Sequence, residues 1–268
     1  MFERQKIYFV ICFLILACAF SFFLIWARGN TNNVKTENKD YPILIAHAGG
    51  SLYGRTYLNS KEAVENSIIN GFKYIELDLL ETTDEDLLAA HSWKDFHRLT
   101  TRKKSEKPIS STDAKKRKIL GKQTVLTSKE ISDIFLANEN LILVTDKIQN
   151  LKLLEKKFGQ FKDRIIVEVF SVKKYEEAQK RGFKHAAFCV RNSEKLYKQA
   201  EENKIDMITL TVADLSKWKK WHENHPEVIS LAYGPTESYV NNLKDVEELS
   251  FIKGWYTDFL TPKMLENK

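Results

Sequence analysis

The sequence predicts an α/β chain, a distorted (β/α)8 TIM barrel preceded by one transmembrane helix. Three observations carry this expectation. Short apolar runs alternate with charged amphipathic stretches, the pattern of parallel strands joined by helical crossovers. The part that alternates, residues 41–268, has the length of one domain able to bury a core. Residues 7–27 (IYFVICFLILACAFSFFLIWA) carry no charge, and about 20 such residues suffice to cross a bilayer.

At the amino end, Arg4 and Lys6 precede the apolar run, and Trp26 and Arg28 close it. The basic start favours a cytoplasmic amino terminus, although Arg28 and Lys35 reduce the asymmetry. An uncleaved anchor over residues 1–28 is expected. The segment Ile15-Leu16-Ala17-Cys18 loosely resembles a lipoprotein cleavage box, but the chain stays apolar beyond Cys18. A cleaved secretory signal is the other option; its apolar region is usually shorter, about 7–15 residues. Residues 29–40 (GNTNNVKTENKD) form a polar linker with too few apolar groups to fold. This organisation describes a single-pass membrane protein with its domain, residues 41–268, outside the cytoplasm. Cys189 is the only cysteine of that domain, so no internal disulfide is available.

Candidate strands lie at 43–47, 73–79, 86–91, 141–146, 165–170, 186–190, 207–211, 228–233 and 254–258. Helical patterns lie at 60–70, 128–138, 150–160, 172–181, 193–203, 214–223 and 239–249. So many repeats suggest a closed barrel more than an open doubly wound sheet, which is the alternative. Nine strands compete for eight places. Asp78 and Asp86 are too close for a helical crossover, so 86–91 is an irregular strand or a later run lies outside the barrel. Residues 94–124 read as a long, polar, basic loop.

The formal net charge is +6, and much of the excess sits in residues 98–122. A solvated loop is the plain expectation. A surface for anionic lipid headgroups or a phosphate-rich polymer is the sharper one. No aromatic interleaving or nucleic-acid motif accompanies these charges, so no nucleic-acid partner is expected. No protein partner is inferred either.

The residues that bear chemistry concentrate between Tyr41 and Trp93. Glu76 and Asp78 are two apart on an apolar strand, so they share one face. Inside a barrel they would repel one another and be desolvated unless a cation lay between them, and a hard divalent ion with oxygen ligands meets that need. The plain alternative is a solvated face. His47 follows ILIA and His91 follows LLAA, so each sits where a strand gives way to a loop, the barrel end that hosts active sites. Two imidazoles there can share proton removal and proton donation, or can bind metal.

These residues carry a resemblance to the glycerophosphodiester phosphodiesterase family, within the superfamily of phosphatidylinositol-specific phospholipase C barrels. The matching positions are His47, Gly49, Asn59, Ser60, Gly71, Glu76, Asp78, Thr83 and His91, with Thr257 and Asp258 in a closing strand. The resemblance implies a phosphodiester hydrolase that uses a divalent metal, Ca2+ or Mg2+, on a glycerophosphodiester, a lysophospholipid or a related surface phosphodiester. It implies His47 and His91 as the acid–base pair, and Glu76 and Asp78 as metal ligands. Asn59 is assigned to substrate binding.

The chain departs from the family pattern in three places. The arginine expected after the first histidine is Ala48, and Arg55 is the candidate replacement. His-Asp has become His91-Ser92. The later Glu-x-Lys meets VTDKI, where Lys147 matches the lysine but Thr145 takes the glutamate's place. Asp146 then serves as third ligand only if the strand end is irregular, and Glu168 is the other candidate. A non-catalytic barrel that binds phosphorylated lipid or glycan, and a phospholipase that forms cyclic phosphates, are the rival readings. His97, His222 and His225 are expected at the surface, His185 as structural, Trp218 and Trp221 as helix packing, and Tyr233 in the core or the pocket.

Overall fold

The computed structural model describes residues 43–191, 193–234 and 251–266. The expected anchor (1–28), linker (29–40) and helix 239–249 lie outside the described residues. Among the described residues, no helix is long and apolar enough to cross a membrane.

The strands, in chain order, are β1 (Ile43–Ala46), β2 (Tyr74–Glu81), β3 (Leu87–Ala89), β4 (Lys118–Ile119), β5 (Gln123–Thr124), β6 (Ile142–Asp146), β7 (Ile165–Val169), β8 (His185–Cys189), β9 (Met207–Thr211), β10 (Ile229–Tyr233) and β11 (Gly254–Thr257). The helices are α1 (Lys61–Ile69), α2 (Trp93–Thr101), α3 (Ser111–Lys115), α4 (Ser128–Ala137), α5 (Leu151–Phe158), α6 (Val172–Lys180), α7 (Glu194–Glu202), α8 (Leu215–Asn224) and α9 (Pro262–Glu266). Serines start many of them. The Ser60, Ser92, Ser110, Ser171 and Ser193 hydroxyls each accept an N–H from the first turn, satisfying a donor the helix cannot.

Eight parallel strands close into a barrel in the order β1, β2, β6, β7, β8, β9, β10, β11. β1 joins the ends, pairing with β11 (Leu44 opposite Trp255) and with β2 (Ile45 opposite Tyr74). β3 is the surplus ninth strand. It turns back antiparallel to β2, with Leu79 opposite Ala89, and lies outside the barrel. Ile45, Val144, Ile166, Ala187, Met207, Leu231 and Tyr256 pack together inside. Strand alternation then points Glu76, Asp78, Asp146 and Glu168 inward nearer the carboxyl ends.

The basic segment is not an unstructured loop. It forms α2, α3 and the β4–β5 hairpin. Phe96, Ala114, Ile119 and Val125 share a second apolar core with Leu52 and Leu58 of the β1–α1 loop. Those apolar residues are spaced too irregularly among lysines to show a period, which is why the sequence hides the fold here. His97 is correspondingly buried, with Nε2 on the Lys107 carbonyl and Nδ1 facing Arg117, against the expectation of exposure. His222 is buried too, its Nδ1 beside the Ser230 hydroxyl, and burial lowers its pKa to about 4.

A tight turn carries the chain from β1 into the mouth. Gly50 has φ +88°, and a Cβ there would meet the Ser67 hydroxyl at 2.1 Å. That hydroxyl donates to the Gly49 carbonyl at 2.8 Å, tying α1 to the turn. Gly50→Ala should therefore cost about 2 kcal/mol of stability, read as a lower denaturation midpoint; an unchanged midpoint would contradict this account of the turn.

Candidate active site

A cavity of about 250 Å³ opens at the carboxyl ends of the barrel strands. His47, Glu76, Asp78, His91, Asp146 and Lys147 all line it. The structure thus gathers six of the eight residues singled out in the sequence, although β1 and β6 lie about a hundred positions apart.

The carboxylates form the floor. Glu76 and Asp78 share the inner face of β2, and the β2–β6 register sets Asp78 opposite Asp146. Glu76, Asp78 and Asp146 each offer an oxygen within 4.8 Å of the others. Asp146, not Thr145, faces inward, with Val144 and Ile142 in phase with it; Thr145 donates outward to the Leu77 carbonyl at 2.8 Å. β6 ends there in an irregular turn. The Ile148 N–H reaches the Asp146 carbonyl at 2.6 Å, and Lys147 adopts φ +59°. Consecutive residues can therefore both line the cavity, the condition the sequence required of Asp146.

Backbone and side-chain donors already engage part of this charge. The Ala48 N–H donates to Glu76 Oε2 at 2.6 Å. The Asn59 amide donates to Asp78 Oδ2 at 2.9 Å while its oxygen accepts the Asp78 N–H at 3.1 Å. Lys147 Nζ lies 2.8 Å from Asp146 Oδ2 and 3.6 Å from Asp78 Oδ1. The balance still falls short. Asp146 Oδ1 is buried with no hydrogen-bond partner. Desolvation, then Asp78 and Asp146, push Glu76 well above the usual carboxylate range. Desolvation and Asp78 raise Asp146 to about 6. An orphaned oxygen among three converging carboxylates fits a hard divalent cation. Glu168 is held differently: the Tyr256 and Thr209 hydroxyls donate to it, and burial, then Asp146, raise it to about 7. It stands outside the ligand trio.

The two histidines are oriented alike. His47 Nδ1 faces Asp258 Oδ1 at 3.1 Å, and His91 Nδ1 faces Asp95 Oδ2 at 3.0 Å. A carboxylate on Nδ1 holds the proton there and leaves Nε2 as the working nitrogen. The Ser92 hydroxyl, His91 and Arg98 hold Asp95 down at about 2. Ser92, where the family pattern has Asp, caps α2 and so places Asp95 beside His91. The Tyr57 ring stands between the imidazoles, 4.5 Å from His47 and 5.4 Å from His91, edge-on to both.

Two expectations need correction. Arg55 is exposed and does not line the cavity, because it pairs with Leu52 in a turn at the surface. Asn59 is buried and its amide is taken up by Asp78, so it supports a carboxylate and is not among the residues that line the cavity. Tyr57, Phe170, Arg191 and Tyr256 line the cavity without having been singled out. The available signal was position: Phe170 ends the predicted strand 165–170, and Arg191 lies just beyond the predicted strand 186–190.

Two measurements follow. With no metal, Glu76, Asp146 and Glu168 fold with raised pKa values, so the native state holds protons that the unfolded chain releases. Stability is then greatest below the unfolded carboxylate range and falls as pH rises through about 6 to 7. The metal-free chain should melt lower at about pH 8 than at about pH 5, and Mg2+ or Ca2+ should raise the melting temperature mainly at the higher pH; equal effects at both would contradict the assignment. Asn59→Ala should weaken divalent-metal affinity by about 10- to 100-fold in a calorimetric titration.

A scan against protein-family models and a search of curated protein sequences find no match. Solved structures do match. A glycerophosphodiester phosphodiesterase from Thermotoga maritima is 17% identical, with a TM-score of 0.62 over 85% of this chain and 98% of that one. A glycerophosphoryl diester phosphodiesterase from Parabacteroides distasonis is 15% identical, with a TM-score of 0.62 over 83% and 90%. An Oleispira antarctica phosphodiesterase, solved with its product sn-glycerol-3-phosphate, is 13% identical, with a TM-score of 0.67 over 85% and 96%. The fold of this chain, a closed parallel barrel of eight strands, is that of solved glycerophosphodiester phosphodiesterases.

Proposed function

We propose that this chain is a metal-dependent phosphodiester hydrolase acting on a glycerophosphodiester, a lysophospholipid or a related surface phosphodiester, with His47 and His91 as its acid–base pair. The observation that carries the reading is the flanking of a buried carboxylate trio by two imidazoles, each held through Nδ1 by its own carboxylate. The phosphodiesterase fold and the small cavity support it.

Glu76, Asp78 and Asp146 would hold Mg2+ or Ca2+, which neutralises phosphoryl oxygens and lowers the pKa of an attacking hydroxyl or water. The Ala48 N–H and Asn59 fix the first two carboxylates, so little reorganisation accompanies substrate binding. One imidazole Nε2 takes the proton of the nucleophile. The other gives its proton to the leaving alkoxide. Asp95 and Asp258 stabilise each imidazolium when it forms and return the ring to the same tautomer. Tyr57, wedged between the rings, keeps them apart, so that they act on opposite sides of the phosphorus. The apolar run 7–27 supports a membrane anchor, and the polar linker after it supports a domain held near lipid outside the cytoplasm.

The test is turnover of glycerophosphodiesters, lysophospholipids and an aryl phosphodiester by the full chain, with Mg2+, Ca2+ or chelator. Chelator should abolish activity. His47→Ala and His91→Ala should each lower kcat by about 10²- to 10⁴-fold, and Glu76→Ala should abolish the metal response. A released alcohol with a phosphomonoester, and no cyclic phosphate, is the expected product. Metal-linked stabilisation with no turnover of any diester would favour the phosphate-binding barrel.

A further inference from the structure

The carboxylates and histidines occupy one side of the mouth, on β1, β2, the β3 hairpin and β6. The opposite wall has its own character. β8 stands four places from β1 in either direction around the barrel, with three strands between, and Arg191 follows its end. Arg191 lines the cavity, and among the described residues it has no carboxylate partner. The cavity's other permanent cation, Lys147, is engaged by Asp146 and Asp78. Arg191 is an exposed residue at the cavity wall. Its backbone has φ +46°, unusual for a residue with a long side chain, and its guanidinium lies 5.5 Å over the Phe170 ring. A guanidinium over a ring face keeps its N–H edge available to meet an oxyanion in two bonds. Tyr233, at the end of β10, brings its phenol to the same wall. Burial raises the phenol's pKa, with Arg191 opposing the rise, so the hydroxyl stays a neutral donor.

These donors stand on the arc β8–β10, opposite the arc that carries the carboxylate trio and the histidines. We propose that Arg191, stacked on Phe170 and joined by Tyr233, forms a second oxyanion subsite, and that the preferred substrate is a phosphodiester whose far arm carries another phosphate. The inference rests on the hydrolase reading for its first phosphate, but its own recognition is of charge and geometry.

The test is a calorimetric titration of the full chain in detergent micelles with Mg2+, using glycerol 1,3-bisphosphate and sn-glycerol 3-phosphate as probes. Neither is a diester, so both report binding whether or not the chain hydrolyses anything. The bisphosphate should bind about tenfold tighter or more, Arg191→Gln should reduce that advantage to about twofold or less, and Arg191→Lys should restore part of it. An equal affinity of the wild type for both probes would overturn the proposal. So would an advantage that survives Arg191→Gln. Arg191-dependent binding of the bisphosphate in a chain with no diesterase activity would uphold the subsite while refuting the hydrolase reading.

Discussion

Three carboxylates converge inside a barrel, and the surrounding structure is arranged around that charge. Glu76, Asp78 and Asp146 are brought together by strand alternation within β2 and by the parallel β2–β6 register, neither of which a side chain can escape. Left alone, the arrangement would be strongly unfavourable, because each carboxylate is desolvated and repels the other two. The chain answers with fixed dipoles and one ammonium: the Ala48 N–H on Glu76, the Asn59 amide on Asp78 and the Lys147 side chain between Asp146 and Asp78. All three donors come from loops at the carboxyl ends of strands, and all three, Ala48, Asn59 and Lys147, sit at positive φ. Local backbone strain there serves electrostatic compensation.

The same loops place the acid–base machinery. The turn after β1 carries His47 and delivers Ala48 to Glu76 within one residue. The longer loop that follows sets Tyr57 against both imidazoles and Asn59 against Asp78, and its Leu52 and Leu58 are buried in the insertion's apolar core. The insertion in turn carries Asp95, which orients His91. Packing of the insertion, posture of the β1–α1 loop and alignment of both histidines are thus one mechanical unit. A lysine-rich segment that looks dispensable in the sequence is joined to the geometry of the site.

Much of this was legible in the sequence because it rests on periodicity. Nine apolar runs separated by amphipathic stretches, competing for eight places, suggested the barrel, and the Glu-x-Asp spacing put two carboxylates on one face whatever the exact strand ends. The too-short gap between Asp78 and Asp86 left either 86–91 or a later run as the odd strand, and the antiparallel hairpin shows that it is β3. What was hidden depends on backbone turns and long-range contacts. Asp146 lines the cavity beside Lys147 only because β6 ends in a left-handed residue, which no side-chain pattern encodes. Asn59 carries an amide that could face either substrate or protein, and only the fold shows that Asp78 takes it. Arg55 was chosen for its nearness in sequence to His47, whereas Arg191 shares a cavity with it only through the closure of the barrel. The fold of residues 94–124 escaped notice because Phe96, Ile109 and Ile119 find their partners in another loop, not along one helix face.

The central claim is that the carboxylate trio is a cation site. Anomalous diffraction from crystals of the protein grown with Mn2+, a stand-in for Mg2+ or Ca2+, addresses it most directly. The account predicts one strong anomalous peak bounded by Glu76, Asp78 and Asp146, with oxygen ligands at about 2.2 Å and Lys147 displaced from between the carboxylates. A trio still bridged by Lys147, with no anomalous peak among its oxygens, would contradict it.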